Sequence, residues 1–317
     1  MSVRYGSRSR SGTMVSTWLN GLVSGTAFSY AAYFAGGATA TDQVDKFAFP
    51  ADIHSVLAVG LSANTTSLAG AANAGSAAYF AGGYSGSAVD TVDKLAFVDD
   101  SRSTLGTGLS SARGGLAGAA NSGTAAYFAG GDSASTVDKF AFSDDSRSTL
   151  GTGLSAGKSG LGGTANSGTA AYFAGGYAGG YVATVDKFAF SDDSRSASTA
   201  LSGDRGSLAG ASNSGTAAYF AGGYSSATGR VATVDKFAFS DDSRTTLGTG
   251  LSSALNYAAG AANSGTAAYF AGGTAGSGGV TTVDKFAFSD DSRTTLAQGL
   301  DPGRDSLAGA ANSETLV

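Results

Sequence analysis

The chain of 317 residues contains no cysteine, two prolines, one histidine and one tryptophan. The absence of cysteine excludes disulfide bonds, thiolate zinc sites and cysteine nucleophiles. Since His54 is the single histidine, a histidine metal site or a Ser-His-Asp triad cannot recur along the chain, and we expect His54 at the surface. Charged residues make up only 14%, and a net charge of −5 does not indicate nucleic-acid binding.

Long uninterrupted apolar runs are also absent. The stretch Met14–Ala35 is broken by Ser, Thr, Asn and Gly, so we expect no membrane insertion, although a weak signal peptide is an alternative for this region. Arg4, Arg8 and Arg10 are the only charges before Asp42. We therefore predict that residues 1–29 form a basic docking arm that contacts another protein through these arginines and Trp18.

What the chain does contain is a repeat. The string Ala-Tyr-Phe-Ala-Gly-Gly occurs six times, and each copy is followed by Val-Asp-Lys-Phe-Ala-Phe, with Leu95 replacing one Phe. The tyrosines lie 45 to 50 residues apart, at Tyr33, Tyr79, Tyr127, Tyr172, Tyr219 and Tyr269. Fixed spacing of this length is typical of propellers and solenoids.

Each unit is predicted to form four short strands, called a to d from first to last. In the third unit these are 116–120, 125–130, 137–142 and 148–154, joined by the turns 121–124 and 143–147. Six such units predict an all-β, six-bladed β-propeller of four-stranded antiparallel blades over residues 30–317. Tyr127 and Phe128 must then face opposite neighbouring blades, and the Ala and Gly of strands a and b suit the crowded centre.

The last unit ends after its strand a. Residues 307–312 repeat the strand a sequence, and no further strand b follows. We predict that this C-terminal strand completes the first blade beside residues 31–36 and closes the ring. The degenerate strand a of the first unit, 22–26, would be displaced.

The order of these features resembles the Kelch repeat. Tyr127-Phe128-Ala129-Gly130-Gly131 matches its double-glycine strand, and Phe140-Ala141-Phe142 matches its aromatic strand, although Leu150 replaces the expected Trp. The repeat sequence Asp-Lys-Phe-Ala-Phe-Ser-Asp-Asp-Ser-Arg further resembles Kelch-like propellers of tailed bacteriophages. That resemblance implies a virion or tail structural protein located in the extracellular particle.

The recurring acidic pairs, such as Asp144-Asp145, have two interpretations. They form Asx-type turns through hydrogen bonds to backbone N–H groups, or they provide oxygen ligands for calcium. A partial match to the sialidase Asp-box falls at the same turn, but its Gly and Trp are missing. We also expect ion pairs between blades that use Asp138, Lys139, Arg147 and their equivalents, because a lysine beside apolar residues needs a partner.

The copies differ from one another mainly in two sets of loops. The b–c loops vary from 5 to 10 residues, and the d–a loops keep their length but change in content. In a propeller these loops share one face, and variable loops on a rigid scaffold commonly carry recognition. The Tyr and Arg residues of these loops are the predicted ligand contacts: Tyr84, Arg113, Tyr177, Tyr181, Arg205, Tyr224, Arg230 and Tyr257.

These patterns predict a binding protein without enzymatic activity, cofactor or catalytic residue. The first hypothesis is a phage tail or fibre propeller in a multi-subunit assembly, which binds a host surface glycan or protein through its variable face. The alternative is a virion decoration or connector protein with purely structural contacts. A glycan-active enzyme is a third class, for which no acid/base pair stands apart from the repeats.

Overall fold

A computed structural model describes residues 30–38 and 41–313. Every regular element in these residues is a β-strand, and the strands form six four-stranded antiparallel blades of a propeller. From the axis outward, strands a are Ala308–Asn312, Ala69–Asn73, Leu116–Asn121, Gly162–Asn166, Ala209–Asn213 and Ala259–Asn263 for blades 1 to 6. Strands b are Ala31–Ala35, Ala77–Ala81, Ala125–Gly130, Ala170–Ala174, Ala217–Ala221 and Ala267–Ala271.

The outer half of each blade follows the same order. Strands c are Val44–Ala48, Val92–Ala96, Val137–Ala141, Val185–Ala189, Val234–Ala238 and Val283–Ala287. Strands d are Ile53–Val56, Arg102–Thr104, Arg147–Thr149, Arg195–Ser198, Arg244–Thr246 and Arg293–Thr295. Among the b–c residues that the structure describes, a small hairpin occurs three times: Tyr84–Ser85 with Ser87–Ala88, Tyr224–Ser225 with Gly229–Arg230, and Thr274–Gly276 with Gly278–Gly279.

The C-terminal strand closes the ring, as the sequence predicts. Ala308–Asn312 pairs antiparallel with Ala31–Ala35 over five residues, so the first blade combines both ends of the described chain. The predicted displacement of residues 22–26, the basic arm with Arg4, Arg8, Arg10 and Trp18, and the arm boundary at residue 29 lie outside the described residues.

The predicted extent of strand d was wrong. In blade 3 it covers only Arg147–Thr149, not 148–154. The N–H of Leu150 donates to the Val137 carbonyl, and beyond this residue the chain turns back toward the axis. The N–H of Leu154 then donates to the carbonyl of Ser135 in the b–c loop. Gly153 permits this approach, because a Cβ there would lie 2.4 Å from the Ser135 oxygen. The segment therefore belongs to the loop layer.

Strand b presents its two aromatic residues to opposite neighbours, as predicted. Tyr127 packs on Phe190 of blade 4 with ring centroids 5.1 Å apart, whereas Phe128 packs in the cluster shared with blade 2. Both side chains are fully buried. A blade therefore has two apolar faces, each of which is covered by a neighbour.

A clasp between successive blades accompanies this packing. The Tyr127 hydroxyl donates to Oδ1 of Asp193 at 2.8 Å, and Lys139 Nζ contacts Oδ2 of the same aspartate at 2.8 Å. Lys139 also lies over the Tyr127 ring at 5.2 Å from its centroid. The clasp recurs at every junction, and Tyr269 and Lys285 of blade 6 contact Asp52 of blade 1 at 2.7 and 2.6 Å. The predicted ion pairs between blades are thus confirmed for the lysines.

The innermost strands approach each other through a ring of glycines. A Cβ placed on Gly118 would lie 2.2 Å from the carbonyl oxygen of Gly70 in the preceding blade. The same approach, at 2.2 to 2.4 Å, occurs around the whole axis, at Gly70, Gly118, Gly163, Gly210, Gly260 and Gly309. The absence of a side chain therefore sets the distance between blades, as expected for the crowded centre.

Because of the clasp tyrosines, we expect the stability of the fold to decrease at alkaline pH. Burial raises the pKa of Tyr127 and Tyr172 to about 12, and it also raises the pKa of the other four clasp tyrosines. Since the unfolded phenol ionises near pH 10, this stabilisation is complete below about pH 10 and is lost as the pH rises toward 12. We expect thermal unfolding temperatures constant from pH 8 to 10 and falling steeply above it.

Circular dichroism melts at stepped pH, with tyrosinate absorbance recorded in parallel, provide the measurement. Tyr127→Phe has one fewer titrating clasp and should show a shallower alkaline decline. Absorbance that corresponds to ionisation of all thirteen tyrosines near pH 10 while the fold persists would contradict the coupling between clasp and fold.

Candidate functional site

The b–c and d–a loops share one end of the propeller, where the copies differ most in sequence. Successive d–a loops are joined there by a closed ring of six backbone hydrogen bonds, in which Gly115 donates to Ser67 at 2.8 Å and Tyr257 donates to Ser207 at 2.8 Å. The six members take positive φ between 56° and 68°: Ser67, Gly115, Gly160, Ser207, Tyr257 and Ser306. This ring fixes the floor of the variable face.

A cleft of about 380 Å³ lies on this face beside the axis. Four tyrosines and one aspartate supply its large side chains: Tyr84, Tyr177, Tyr181, Tyr257 and Asp132. Small residues complete the lining, namely Gly114, Gly115, Gly160, Gly206, Ser67, Ser159 and Ser207. The exposed fractions of Tyr84, Tyr177 and Tyr257 are 38%, 46% and 43%, so their rings are open to solvent.

The tyrosines of blades 4 and 5 support one another. Tyr177 and Tyr181 form an isolated antiparallel bridge, and their rings meet edge to face at 5.3 Å between centroids. Tyr181 also contacts the ring of Tyr224 at 5.6 Å. Partial burial raises the pKa of Tyr181. Electrostatic repulsion from its neighbours in their ionised form raises it further, and these neighbours are Tyr257, Tyr224 and Tyr177. The Tyr181 hydroxyl therefore remains a neutral donor at physiological pH.

Tyr84 is held by an aspartate from the next blade. Its hydroxyl donates to Oδ1 of Asp132, and Oδ2 accepts from the N–H of Gly114 at 3.1 Å. The hydrogen bond to Asp132 and partial burial raise the pKa of Tyr84 to about 12. The Tyr84 ring lies so near Gly114 that a Cβ there would be 2.2 Å from its Cε2 atom. The ring is thus fixed in place with a carboxylate beside it.

Asp132 was missed by sequence reasoning, which considered only Tyr and Arg. The available signal was position, because Asp132 directly follows the double glycine, where blades 2, 4 and 5 carry Tyr84, Tyr177 and Tyr224. Its φ of 48° and the five-residue loop turn it toward its neighbours. An acceptor therefore stands among rings that otherwise offer hydroxyls.

Two of the predicted surface contacts were wrong. Arg113 and Arg205 are 1% and 2% exposed, and their guanidinium groups point into the blades. Arg113 Nη2 pairs with Asp138 at 2.8 Å while its Nε donates to the Gly130 carbonyl at 2.8 Å. Both arginines compensate a buried carboxylate, which would be costly if left without a partner. They are scaffold residues.

Arg230 and Tyr224 lie outside the cleft lining. Arg230 donates through Nε to the Asn256 side chain at 2.9 Å and through Nη2 to the Gly276 carbonyl at 3.3 Å, so it ties the loops of blades 5 and 6 together. Tyr224 contacts cleft residues through the Tyr181 ring and through backbone hydrogen bonds with Gly206. Of the eight predicted contact residues, the structure brings Tyr84, Tyr177, Tyr181 and Tyr257 into one cleft.

The acidic pairs of the c–d turns both have structural partners. Asp144 accepts from the Ser146 N–H at 3.0 Å, which is the predicted Asx-type turn, and Asp145 takes a φ of 58° and forms a clasp with Tyr79 and Lys94. Among the described residues, no three acidic or histidine side chains converge in a way that could hold a metal ion.

His54 is not the surface residue that the sequence suggested. Its side chain is 14% exposed, and Nε2 lies 2.6 Å from Oδ1 of the buried Asp45. In blades 4 and 5 the arginines at the matching position, Arg195 and Arg244, contact the corresponding aspartate oxygen. His54 therefore substitutes for an arginine of the repeat.

Within residues 30–38 and 41–313, no helix is long and apolar enough to cross a bilayer. No protein-family model matches the chain, and no curated protein matches it in sequence.

Proposed function

We propose that the protein binds carbohydrate in the tyrosine cleft of its variable face and performs no catalysis. The observation that carries the proposal is the division of the tyrosines. The six strand b tyrosines are buried in clasps, whereas Tyr84, Tyr177 and Tyr257 expose 38 to 46% of their surface around one cleft. Exposed apolar surface that is gathered into one patch commonly marks a site of interaction.

The cleft chemistry favours a sugar over an apolar ligand. Ring faces of Tyr177 and Tyr257 suit the apolar C–H face of a pyranose, while the Asp132 carboxylate and the hydroxyls of Ser159 and Ser207 can pair with sugar hydroxyls. A volume of about 380 Å³ lies at the lower end of the range for small-ligand pockets, about 300–1,000 Å³. One or two sugar rings fit this space.

The biological setting that we propose is the particle of a tailed bacteriophage. The repeat sequence, which resembles Kelch-like phage propellers, supports this setting. The basic N-terminal segment also supports it, because it would dock the propeller to other virion proteins through Arg4, Arg8, Arg10 and Trp18. The cleft would then attach the particle to a glycan of the host surface.

Removal of the exposed rings tests the binding site. In a glycan array with the full chain, we expect Tyr84→Ala/Tyr177→Ala/Tyr257→Ala to weaken binding of the preferred glycan by about 100-fold or more, because each aromatic contact contributes upward of about 1 kcal/mol. The melting temperature should stay near that of the wild type, since these side chains are partly exposed.

The matched control removes exposed apolar side chains away from the cleft. Ile53→Ala/Val59→Ala/Val98→Ala truncates side chains of residues that are 61%, 42% and 53% exposed, and we expect unchanged glycan binding. Wild-type affinity in the tyrosine triple variant would remove the cleft from the proposal. No glycan binding, together with b–c loops covered by neighbouring subunits in the intact particle, would favour the decoration or connector alternative.

A further inference from the structure

Every strand c carries a buried aspartate, and most blades pair it with a buried cation. In blade 3, Asp138 accepts from the N–H and hydroxyl of Ser110 at 2.9 Å each, from Thr149 at 2.6 Å and from Arg113 at 2.8 Å. The same position of the d–a loop holds a cation in four blades, namely Arg113, Lys158, Arg205 and Arg304, paired with Asp138, Asp186, Asp235 and Asp45.

The three arginines occupy their blades in one geometry. Arg113, Arg205 and Arg304 donate through Nε to the carbonyl of the first glycine of the double glycine at 2.8 to 2.9 Å. Their Nη2 groups reach a phenylalanine carbonyl at 3.3 to 3.4 Å and the aspartate at 2.6 to 3.0 Å. The repeat therefore builds a receptor for a guanidinium group.

Blade 2 retains the receptor without the cation. The residue matching Arg113 is Thr65, whose hydroxyl donates to the Ala63 carbonyl. A cavity of about 120 Å³ lies beside it, lined among others by Phe80, Gly82 and Asp93, the counterparts of the three acceptor residues. In blade 6 the matching residue is Leu255, which is buried in the core.

Asp93 has the same kinds of hydrogen-bond partners as the equivalent aspartates of the other blades, except for this cation. Oδ2 accepts from the N–H and hydroxyl of Ser62 at 2.8 Å each, and Oδ1 accepts from Thr104 at 2.6 Å. Arg102 lies 3.5 Å from Oδ1, which leaves the side of Oδ2 open. The equivalents Arg195 and Arg244 contact their aspartates while a second cation contacts Oδ2, so Arg102 does not replace the missing group.

We propose that this blade 2 cavity binds a guanidinium group on a narrow alkyl stem, supplied by a small guanidino compound or by an arginine side chain. The charge of Asp93, which is 5% exposed, provides the attraction, and the carbonyls of Phe80 and Gly82 accept the remaining N–H groups. Ala63 is exposed and Ser85 and Val89 are half-buried, so the cavity is reached from solvent at this edge.

The test is a thermal-shift titration of the full chain with ethylguanidinium chloride, and with tetramethylammonium chloride at equal concentration. We expect ethylguanidinium to raise the melting temperature saturably, by on the order of 3 °C at ten times its Kd. Tetramethylammonium, which cannot donate hydrogen bonds, should give no saturable rise. A short arginine-containing peptide, run in parallel, distinguishes a protein-borne arginine from a free compound.

Two variants separate this cavity from general cation effects. Thr65→Arg should fill it as Arg113 fills blade 3, abolish the ethylguanidinium shift and raise the melting temperature of the ligand-free protein. Leu255→Arg places the same residue in blade 6, leaves the blade 2 cavity open and should keep the shift.

The titration is repeated with Arg4→Gln/Arg8→Gln/Arg10→Gln, so that no arginine of the N-terminal segment competes. A saturable shift in either background that Thr65→Arg removes supports the site. No shift in both backgrounds, or a shift that persists in Thr65→Arg, overturns the proposal.

Discussion

Deletion of residues 306–317 is expected to abolish cooperative folding. The deletion removes Ala308–Asn312, which forms the inner strand of blade 1 and pairs with Ala31–Ala35. It also removes Gly309 from the glycine ring and Ser306 from the hydrogen-bonded ring of d–a loops. Blades 1, 2 and 6 then lose packing on fully buried side chains, and total stabilities of about 5–15 kcal/mol do not tolerate such a loss.

Thermal unfolding followed by circular dichroism, together with size-exclusion chromatography, measures this effect. Deletion of residues 314–317 alone is the control, because it keeps the closing strand, and it should melt like the full chain. Addition of a synthetic peptide covering residues 304–313 to the longer deletion should restore folding through strand addition. A soluble, cooperatively folded deletion without peptide would disprove closure by this strand.

The substitution Gly118→Val is expected to destabilise the propeller by about 3 kcal/mol or more, which corresponds to roughly 6–12 °C in melting temperature. Valine suits a β-strand, so backbone preference does not oppose it. The cost arises because the new Cβ would lie 2.2 Å from the Gly70 carbonyl oxygen, and both groups belong to strands fixed by their neighbours. Relief requires that the two blades move apart, which opens the whole ring.

Gly151→Val is the matched control in the same blade. No atom lies within 4 Å of a Cβ built at Gly151, so we expect a change within about 0.5 kcal/mol. Equal melting temperatures for Gly118→Val and wild type would show that the inner strands tolerate side chains. The glycine ring would then have no role in setting the distance between blades.

The sequence predicts the propeller well because its unit is repeated almost unchanged. Strand b in blade 3 has the predicted limits, since its double glycine and the Asn-Ser-Gly-Thr turn mark both ends. Strand d was predicted too long, because its end depends on the approach of Gly153 to Ser135, a contact between loops distant along the chain. Local patterns do not encode such contacts.

The candidate site was only partly predictable, and the reason differs by residue type. Variation between copies identified the loops, and four of their five predicted tyrosines line the cleft. Arg113 and Arg205 vary in the same way, yet they fill the interior, because variation does not distinguish a residue that contacts ligand from one that compensates a buried aspartate. The hydrogen-bonded ring of d–a loops could not be predicted from the sequence either, since Ser207 and Tyr257 take positive φ without being glycine.

The central claim, that ligand is bound on the face where the copies differ, is tested most directly by blocking one face at a time. The chain has no cysteine, so Gly180→Cys between Tyr177 and Tyr181, and Thr124→Cys on the opposite face, each give a single site for a bulky maleimide. Binding of the labelled proteins to the glycan preferred by the wild type is then compared. We predict that the label at residue 180 abolishes binding and that the label at residue 124 leaves it unchanged. Binding that survives the label at 180 and is lost with the label at 124 would contradict the account.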